Sequence, residues 1–366
     1  MSIEALKGQI KNIHDPRRTS YGNVRHKLED MIVIGLCTLI CGGEDYADME
    51  EFGIEREEFL RQFLELPNGI PDSDTFRRLF ERLNPEELSE CLYNWLAVEF
   101  PERCVIAVDG KTIRGSKSNE HKAYHVVSAF VTESQITLGE ITVNEKSNEI
   151  KAVPELLDLF YLEDTIITAD AMSCQTEIVK KIVSEEADYV ISVKKNQPKL
   201  YEFTEAKFCD TKSRAQVTET EEHQHGRTEI RTYFLKTNVK DFVNLDKWEK
   251  MNAVGMVKTK RIKDGEETES VRYFITSLTD VKEFADAVRK HWAIENQLHW
   301  NLDIIFREDS AHMKKDNSPL NMNVLRKIAL AVLTKAKYGR LSKRKMMFKA
   351  SLNPEVLLKI LLAFSG

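Results

Sequence analysis

Val105-Ile-Ala-Val-Asp109-Gly-Lys111 is the segment around which the chain is organised. Four apolar residues run straight into a carboxylate and then a glycine. The β-branched content suits a buried strand. Gly110 can turn the chain at any φ, which predicts that Asp109 closes the strand. A carboxylate at the end of a buried strand is costly unless something pairs with it, and a metal ion is the usual partner. Asp-Gly is equally a standard hairpin-turn pair. A second copy of the design favours the metal reading: Thr165-Ile-Ile-Thr-Ala-Asp170-Ala is again an apolar β run ending in Asp.

Around these two strands the pattern is α/β. Tyr124 to Thr132 and Gln135 to Val143 continue from the first strand as a meander. Val153 to Leu162 reads as a helix with Pro154 at its start. The Asp170 strand follows, then a helix over Cys174–Glu186 and a strand over Asp188–Val193. The predicted order is βββαβαβ, with carboxylates ending the first and fourth strands. Residues 199–280 read as strand-like segments with polar turns, among them an Asp264-Gly265 hairpin. Helical period returns after Asp280, where Phe284, Val288, Trp292 and Glu295 share one side and Leu298 and Leu302 extend it. Residues 1–98 read as short helices with tight turns, Asp72 or Ser73 capping one of them. Such a bundle could include a DNA-reading pair.

At 366 residues the chain can form two or three domains. With 42% hydrophobic and 31% charged residues it has an ordinary globular composition. No apolar run reaches the roughly 18–20 residues of a membrane span, and Met1-Ser-Ile-Glu4 does not resemble a secretion signal. No membrane partner is therefore expected, and the location expected is the cytoplasm. Cysteines 37, 41, 91, 104, 174 and 209 form no CxxC pair, so they read as reduced thiols. Net charge is −6, but Lys335 to Lys349 holds seven Lys/Arg and no acid, which is compatible with a polyanion partner.

Two strand-end acids suit Mg²⁺ or Mn²⁺, which prefer oxygen ligands. Two ions held together for phosphoryl transfer are better served by three carboxylates. Glu295, within His291-Trp-Ala-Ile-Glu-Asn-Gln-Leu-His-Trp300, is the leading third acid, and Asp303, Glu308 and Asp309 are rivals. His291, Glu295 and His299 also share a helix face at i, i+4, i+8, a stripe of Zn²⁺ ligand types. That stripe spans about 12 Å at roughly 1.5 Å per residue, too far for all three to reach one ion.

The motifs Ala107-Val-Asp-Gly-Lys-Thr-Ile-Arg114, Glu145-Lys-Ser-Asn-Glu-Ile150, Thr168-Ala-Asp-Ala-Met172 with Gln175, Val193-Lys-Lys-Asn-Gln197, His225-Gly-Arg227 and the His291–Trp300 block stand in one order and spacing. In this the chain resembles the DDE transposases of bacterial insertion sequences, of the H-repeat-associated type. Asp15-Pro-Arg-Arg18 and Gly42-Gly-Glu-Asp-Tyr46 resemble that family's associated N-terminal domain. The resemblance covers essentially the whole chain. It implies a ribonuclease-H-like catalytic core, a mixed five-stranded sheet with flanking helices, over 99–366. A β-rich insertion at about 199–280 interrupts that core, a basic helical segment ends it, and a helical domain over 1–98 precedes it.

It also implies Asp109, Asp170 and Glu295 as the catalytic and metal-binding triad, holding two Mg²⁺ or Mn²⁺ ions. The implied activity is metal-dependent cleavage and strand transfer at insertion-sequence ends. The implied partner is double-stranded DNA, both terminal inverted repeats and target, engaged by a homodimer in a bacterial cytoplasm and at the nucleoid when DNA-bound. Lys111, Arg114, Lys194, Lys195, Arg227, Arg289 and a protonated His291 are the expected DNA contacts. The chain departs from the wider group's Tyr-x2-Arg-x3-Glu-x6-Lys signature: those positions hold Val288, His291, Glu295 and Leu302. Two alternatives are an inactive or domesticated DNA-binding protein and a ribonuclease-H-like nuclease without strand transfer.

Overall fold

Alternating or continuous apolar runs become strands, and the sheet they build sets the site. In the computed structural model, residues 3–18, 22, 24–96, 101, 103–118, 122–143, 148–210, 214–224, 226–336 and 338–364 are described. Glu145 to Ser147 and His225, motif residues of the sequence, lie outside them. Helices α1 (Ile3–Ile10), α2 (Leu28–Ile40), α3 (Tyr46–Glu55), α4 (Glu57–Leu60), α5 (Ser73–Arg82) and α6 (Pro85–Leu96) come first. Asp72 caps α5, its carboxylate accepting from the Thr75 N–H at 2.6 Å. The helical stretch that starts at Tyr46 breaks at Arg56 into α3 and α4.

The central unit runs β1 (Val105–Thr112), β2 (His125–Val131), β3 (Ile136–Val143), α7 (Glu149–Leu157), β4 (Ile166–Ala169), α8 (Thr176–Ser184) and β5 (Asp188–Val193). Its strands lie in the order β3-β2-β1-β4-β5. β2 is antiparallel to β1 and β3, whereas β4 and β5 run parallel to β1. This is the ribonuclease-H-like arrangement. Two local expectations are corrected. Helix α7 starts at Glu149, so Pro154 lies inside it rather than at its start. Strand β1 does not close at Asp109 but runs on to Thr112, paired with β2 alone.

The insertion begins with a helix, α9 (Pro198–Cys209), where strand-like segments were expected. Pro198 at the first helical position supplies the φ that starts it. β6 (Gln216–Gln224), β7 (Arg227–Lys236), β8 (Ala253–Lys263) and β9 (Glu266–Thr276) follow as antiparallel hairpins. The β8–β9 turn holds Asp264 at φ 53° and Gly265 at φ 82°, the left-handed pair that Asp-Gly favours. β9 pairs antiparallel with β5, so the insertion adds its four strands to the edge of the five-stranded core, giving one sheet of nine strands among the described residues.

The chain then forms α10 (Val281–Ala293), a π-helical segment (Ile294–His299) and α11 (Trp300–Ile304). Last come α12 (Ser318–Ala336), α13 (Lys343–Leu352) and α14 (Pro354–Leu361). The first six and last three helices share one hydrophobic cluster that includes Leu6, Met31, Phe76, Leu92, Leu325, Met346 and Leu357. Arg56 donates to the Ser351 carbonyl at 2.6 Å, and Asn321 to those of Phe80 and Leu83 at 2.8 and 2.9 Å. Helix α12 ties this bundle to the sheet. Lys327, buried, donates to Ser128 Oγ of β2 at 2.8 Å and pairs with Glu140 of β3, to which Tyr93 of α6 also donates.

Candidate active site

Strand register brings the first two acids together. Val108 of β1 pairs with Ala169 of β4 in the parallel ladder, and the ladder ends there. Asp109 and Asp170 are the next residue on each strand. Neighbouring strands lie about 4.8 Å apart, so the two carboxylates leave the sheet side by side. Asp170 is fixed by its own turn: Oδ1 accepts from the Met172 and Ser173 N–H groups at 2.8 and 3.3 Å.

Glu295 reaches the same place from the π-helical segment. The Trp300 N–H there donates to the Glu295 carbonyl, a five-residue span that widens the helix. Phe284 and Val288 on the preceding helix are buried against the sheet, while Glu295 and Trp292 face out. Asp109, Asp170 and Glu295 line one cavity of about 340 Å³, with Thr168, Ser192 and Lys194.

The rival acids are engaged elsewhere. Lys111 bridges Asp303 at 2.8 Å, Glu308 at 2.8 Å and Asp309 at 3.5 Å. Glu308 is fully buried and also accepts from Asn323 at 2.6 Å. Burial alone would raise its carboxyl, but Lys111 and Arg326 outweigh that and hold it below its ordinary value. Lys111 is thus committed to three carboxylates rather than presented to a phosphate, contrary to the sequence expectation.

Burial pushes the Asp109 carboxyl up to about 7; the Gly110 N–H opposes this, and the like charges of Asp170, Glu149 and Glu295 add to it. The side chain is still 31% exposed, towards the cavity. Among the described residues, no group of three or more His, Cys, Asp or Glu side chains is drawn close enough together to hold a metal ion as it stands. Three carboxylates around an open cavity fit a hard cation that keeps several waters.

The histidines are not cationic contacts. Burial drives His291 down to about 4 and His299 down to about 3. His291 Nδ1 lies 3.0 Å from Thr168 Oγ1, and His299 Nδ1 lies 3.7 Å from Asp109. The expectation of a protonated His291 on a phosphate is therefore corrected: desolvation between helix and sheet keeps it neutral.

Sequence reading passed over a pair beneath the site. His125 Nε2 and Glu149 are in close contact, both buried, and His125 Nδ1 lies 2.9 Å from Thr112 Oγ1. A Cβ on Gly110 would come within 2.4 Å of both Glu149 Oε1 and His125 Nε2. Close approach, not turn geometry, is what requires glycine after Asp109. Glu149 stands in a motif quoted above, but no spacing rule pairs it with His125.

The basic residues fall in two places. Arg114 is exposed at the end of β1 near Asp309, and Lys194 and Lys195 are exposed after β5. Arg227 and Arg289 instead line a second, adjoining cavity of about 860 Å³, with Arg231, Arg261, Arg272 and Lys290. Arg289 donates to both Glu222 oxygens at 2.7 and 2.9 Å. Glu229, buried, holds Arg227, Arg231 and Arg261.

The family profile described as Transposase DDE domain matches residues 100–332, and the one described as DDE_Tnp_1-associated matches residues 8–96. The chain belongs to the DDE transposase family. Within it, the chain is 36% identical to "Putative transposase YncI" of Escherichia coli O157:H7, over 96% of this chain and 93% of that protein. It is 34% identical to "H repeat-associated putative transposase YhhI" of Escherichia coli strain K12, over 99% and 98%. Among solved structures, the cryo-EM synaptic complex of piggyBac transposase with hairpin DNA aligns over 99% of this chain and 77% of that one, at 10% identity and a TM-score of 0.45. That likeness is too distant to carry an argument. No helix among the described residues is long and apolar enough to cross a membrane.

Proposed function

We propose that this protein cleaves DNA at the ends of a mobile element and joins those ends to a target, with Asp109, Asp170 and Glu295 holding two divalent ions. One observation carries the reading: these three acids line one cavity, while the rival acids Asp303, Glu308 and Asp309 are bound to Lys111. Mg²⁺ or Mn²⁺ held there supplies charge neutralisation for the attacking and leaving oxygens of an in-line displacement. Asp109 would hold the ions together with the other two acids that line the cavity. Asp170, its Oδ1 held by two N–H groups, and Glu295, on the widened helix, would be the other two ligands. Thr168 and neutral His291 hold the helix against the strand end, so the Glu295 position is set before DNA arrives.

Arg114, Lys194 and Lys195 present charge to the DNA backbone around the cavity. A groove in the N-terminal bundle lined by Arg17, Arg18, Arg25, His26, Arg78 and Arg82 is the candidate for gripping the element end away from the chemistry. Two ends must be held together, so the working form is a homodimer on DNA.

The test is to incubate the full chain with element-end DNA and Mg²⁺ or Mn²⁺. Nicking that persists in Asp109→Ala or Asp170→Ala sinks the assignment. Nicking without joined products leaves a ribonuclease-H-like nuclease in place of a transposase.

A further inference from the structure

Arg272 stands apart from the other cations of the site. It lies on β9 of the insertion, two residues before Phe274, so both project from the same face of the sheet. Phe274 packs edge-on against Phe284 of α10, ring centroids 5.6 Å apart, which fixes that face beneath the helix carrying Glu295. The Arg272 guanidinium lies 5.8 Å from the Phe274 ring centroid and 5.4 Å from that of Trp292, three residues before Glu295.

Arg272 lines both cavities, the one holding Asp109, Asp170 and Glu295 and the arginine-lined one beside it. In the second cavity Arg227, Arg231, Arg261, Arg289 and Lys290 are all paired with carboxylates. Among the described residues, no carboxylate is within ion-pair reach of Arg272. Its charge is largely desolvated and held over two aromatic faces. Unpaired guanidinium charge on an aromatic platform suits a phosphate diester, which it can hold through two parallel N–H···O bonds.

We infer that Arg272, stacked on Trp292, grips a backbone phosphate of the DNA strand where it passes from the arginine-lined groove into the carboxylate cavity. The inference rests on the phosphoryl-transfer reading above. It adds a substrate contact contributed by an element outside the five-stranded core.

Two measurements separate the inference from that reading. The first needs no chemistry: affinity of the full chain for a duplex oligonucleotide, without metal, across a salt series. Arg272→Gln is expected to lower the slope of log K against log[salt] by about one, the loss of one phosphate contact. The second is single-turnover cleavage of element-end DNA with Mn²⁺. Arg272→Gln is expected to slow the chemical step by about a hundredfold, with half-saturation changed by far less. Arg272→Lys, which keeps charge but loses the stack and the fork, and Trp292→Ala, which removes the platform, are expected to fall between. Unchanged thermal unfolding of the variants shows that they are folded. An unaltered salt slope together with cleavage within about threefold of the parent overturns the inference and leaves the triad reading standing. Should the parent itself fail to cleave, the triad reading falls, and the salt slope alone decides whether Arg272 holds a phosphate.

Discussion

Asp109 and Asp170 occupy equivalent positions on adjacent parallel strands, each one residue past the last ladder pair, Val108 with Ala169. Two carboxylates about one strand spacing apart repel. Under the proposed function, a bound divalent cation would relieve that repulsion.

The first prediction follows from the burial of Asp109, to which the charge of Asp170 adds. Asp109 is an acid whose folded value is raised, to about 7 from 3.8, so its ionised form destabilises the fold above 3.8. Its opening to solvent reduces the effect to on the order of 1 kcal/mol. Asp109→Asn should therefore raise the melting temperature of the metal-free protein at pH 8 by about 1–2 °C. The same change should abolish cleavage. Calorimetry without metal, beside a nicking assay with Mn²⁺, checks both; a lower melting temperature contradicts the repulsion.

Metal binding should follow pH in a defined direction. Below about pH 7 Asp109 carries a proton that an incoming cation must displace. Mn²⁺ affinity is expected to rise about tenfold per pH unit from roughly pH 5 to 7 and then level off. Titration calorimetry at fixed ionic strength measures this. Affinity that stays flat across the range would place the ion away from Asp109.

Gly110→Ala tests the packing under the site. The added Cβ meets Glu149 Oε1 and His125 Nε2 at 2.4 Å each, and neither group can withdraw from the buried pair cheaply. Overpacking of this kind costs about 1–3 kcal/mol. Denaturant unfolding should show that loss, and cleavage should drop with it because the displaced neighbour is Asp109. Trimming the opposing group in Gly110→Ala/Glu149→Ala is expected to recover part of the stability.

The buried Lys327–Glu140 pair joins the helical bundle to the sheet. Lys327→Met leaves Glu140 buried with only the Tyr93 hydroxyl at 3.3 Å. Stranding one partner of a buried ion pair costs about 3–5 kcal/mol. Adding Glu140→Leu should restore much of it. Chemical denaturation of the single and double variants measures the coupling, and a single variant as stable as the parent would show the pair to be incidental.

Much of the fold was legible in local sequence. Runs such as Val105–Val108 and Ile166–Ala169 are apolar because both faces of those strands are covered, and a buried strand needs no partner's identity to declare itself. Asp72 and Asp264-Gly265 act on backbone groups within a few residues, so one cap and the turn were readable too. The βββαβαβ order and two of the three acids follow from these short-range rules. Pro154 inside α7 and the continuation of β1 past Gly110 were missed because packing there outweighs local preference, whereas α9 was missed although Pro198 marks its first turn.

What the sequence by itself determined is most of the strand set and the apolar runs that lead into Asp109 and Asp170, since hydrophobic period is a property of neighbouring residues. Only the tertiary structure decided the company those carboxylates keep. Lys111 meets Glu308 across 197 positions and takes the rival acids out of contention. Glu295 faces the cavity because the helix widens by a π turn at that point. Arg272 arrives beside it because β9 docks on β5 and continues the sheet. Each depends on how distant elements register against one another. That register is set by summed burial over the whole molecule and leaves no local periodic mark on the residues it brings together.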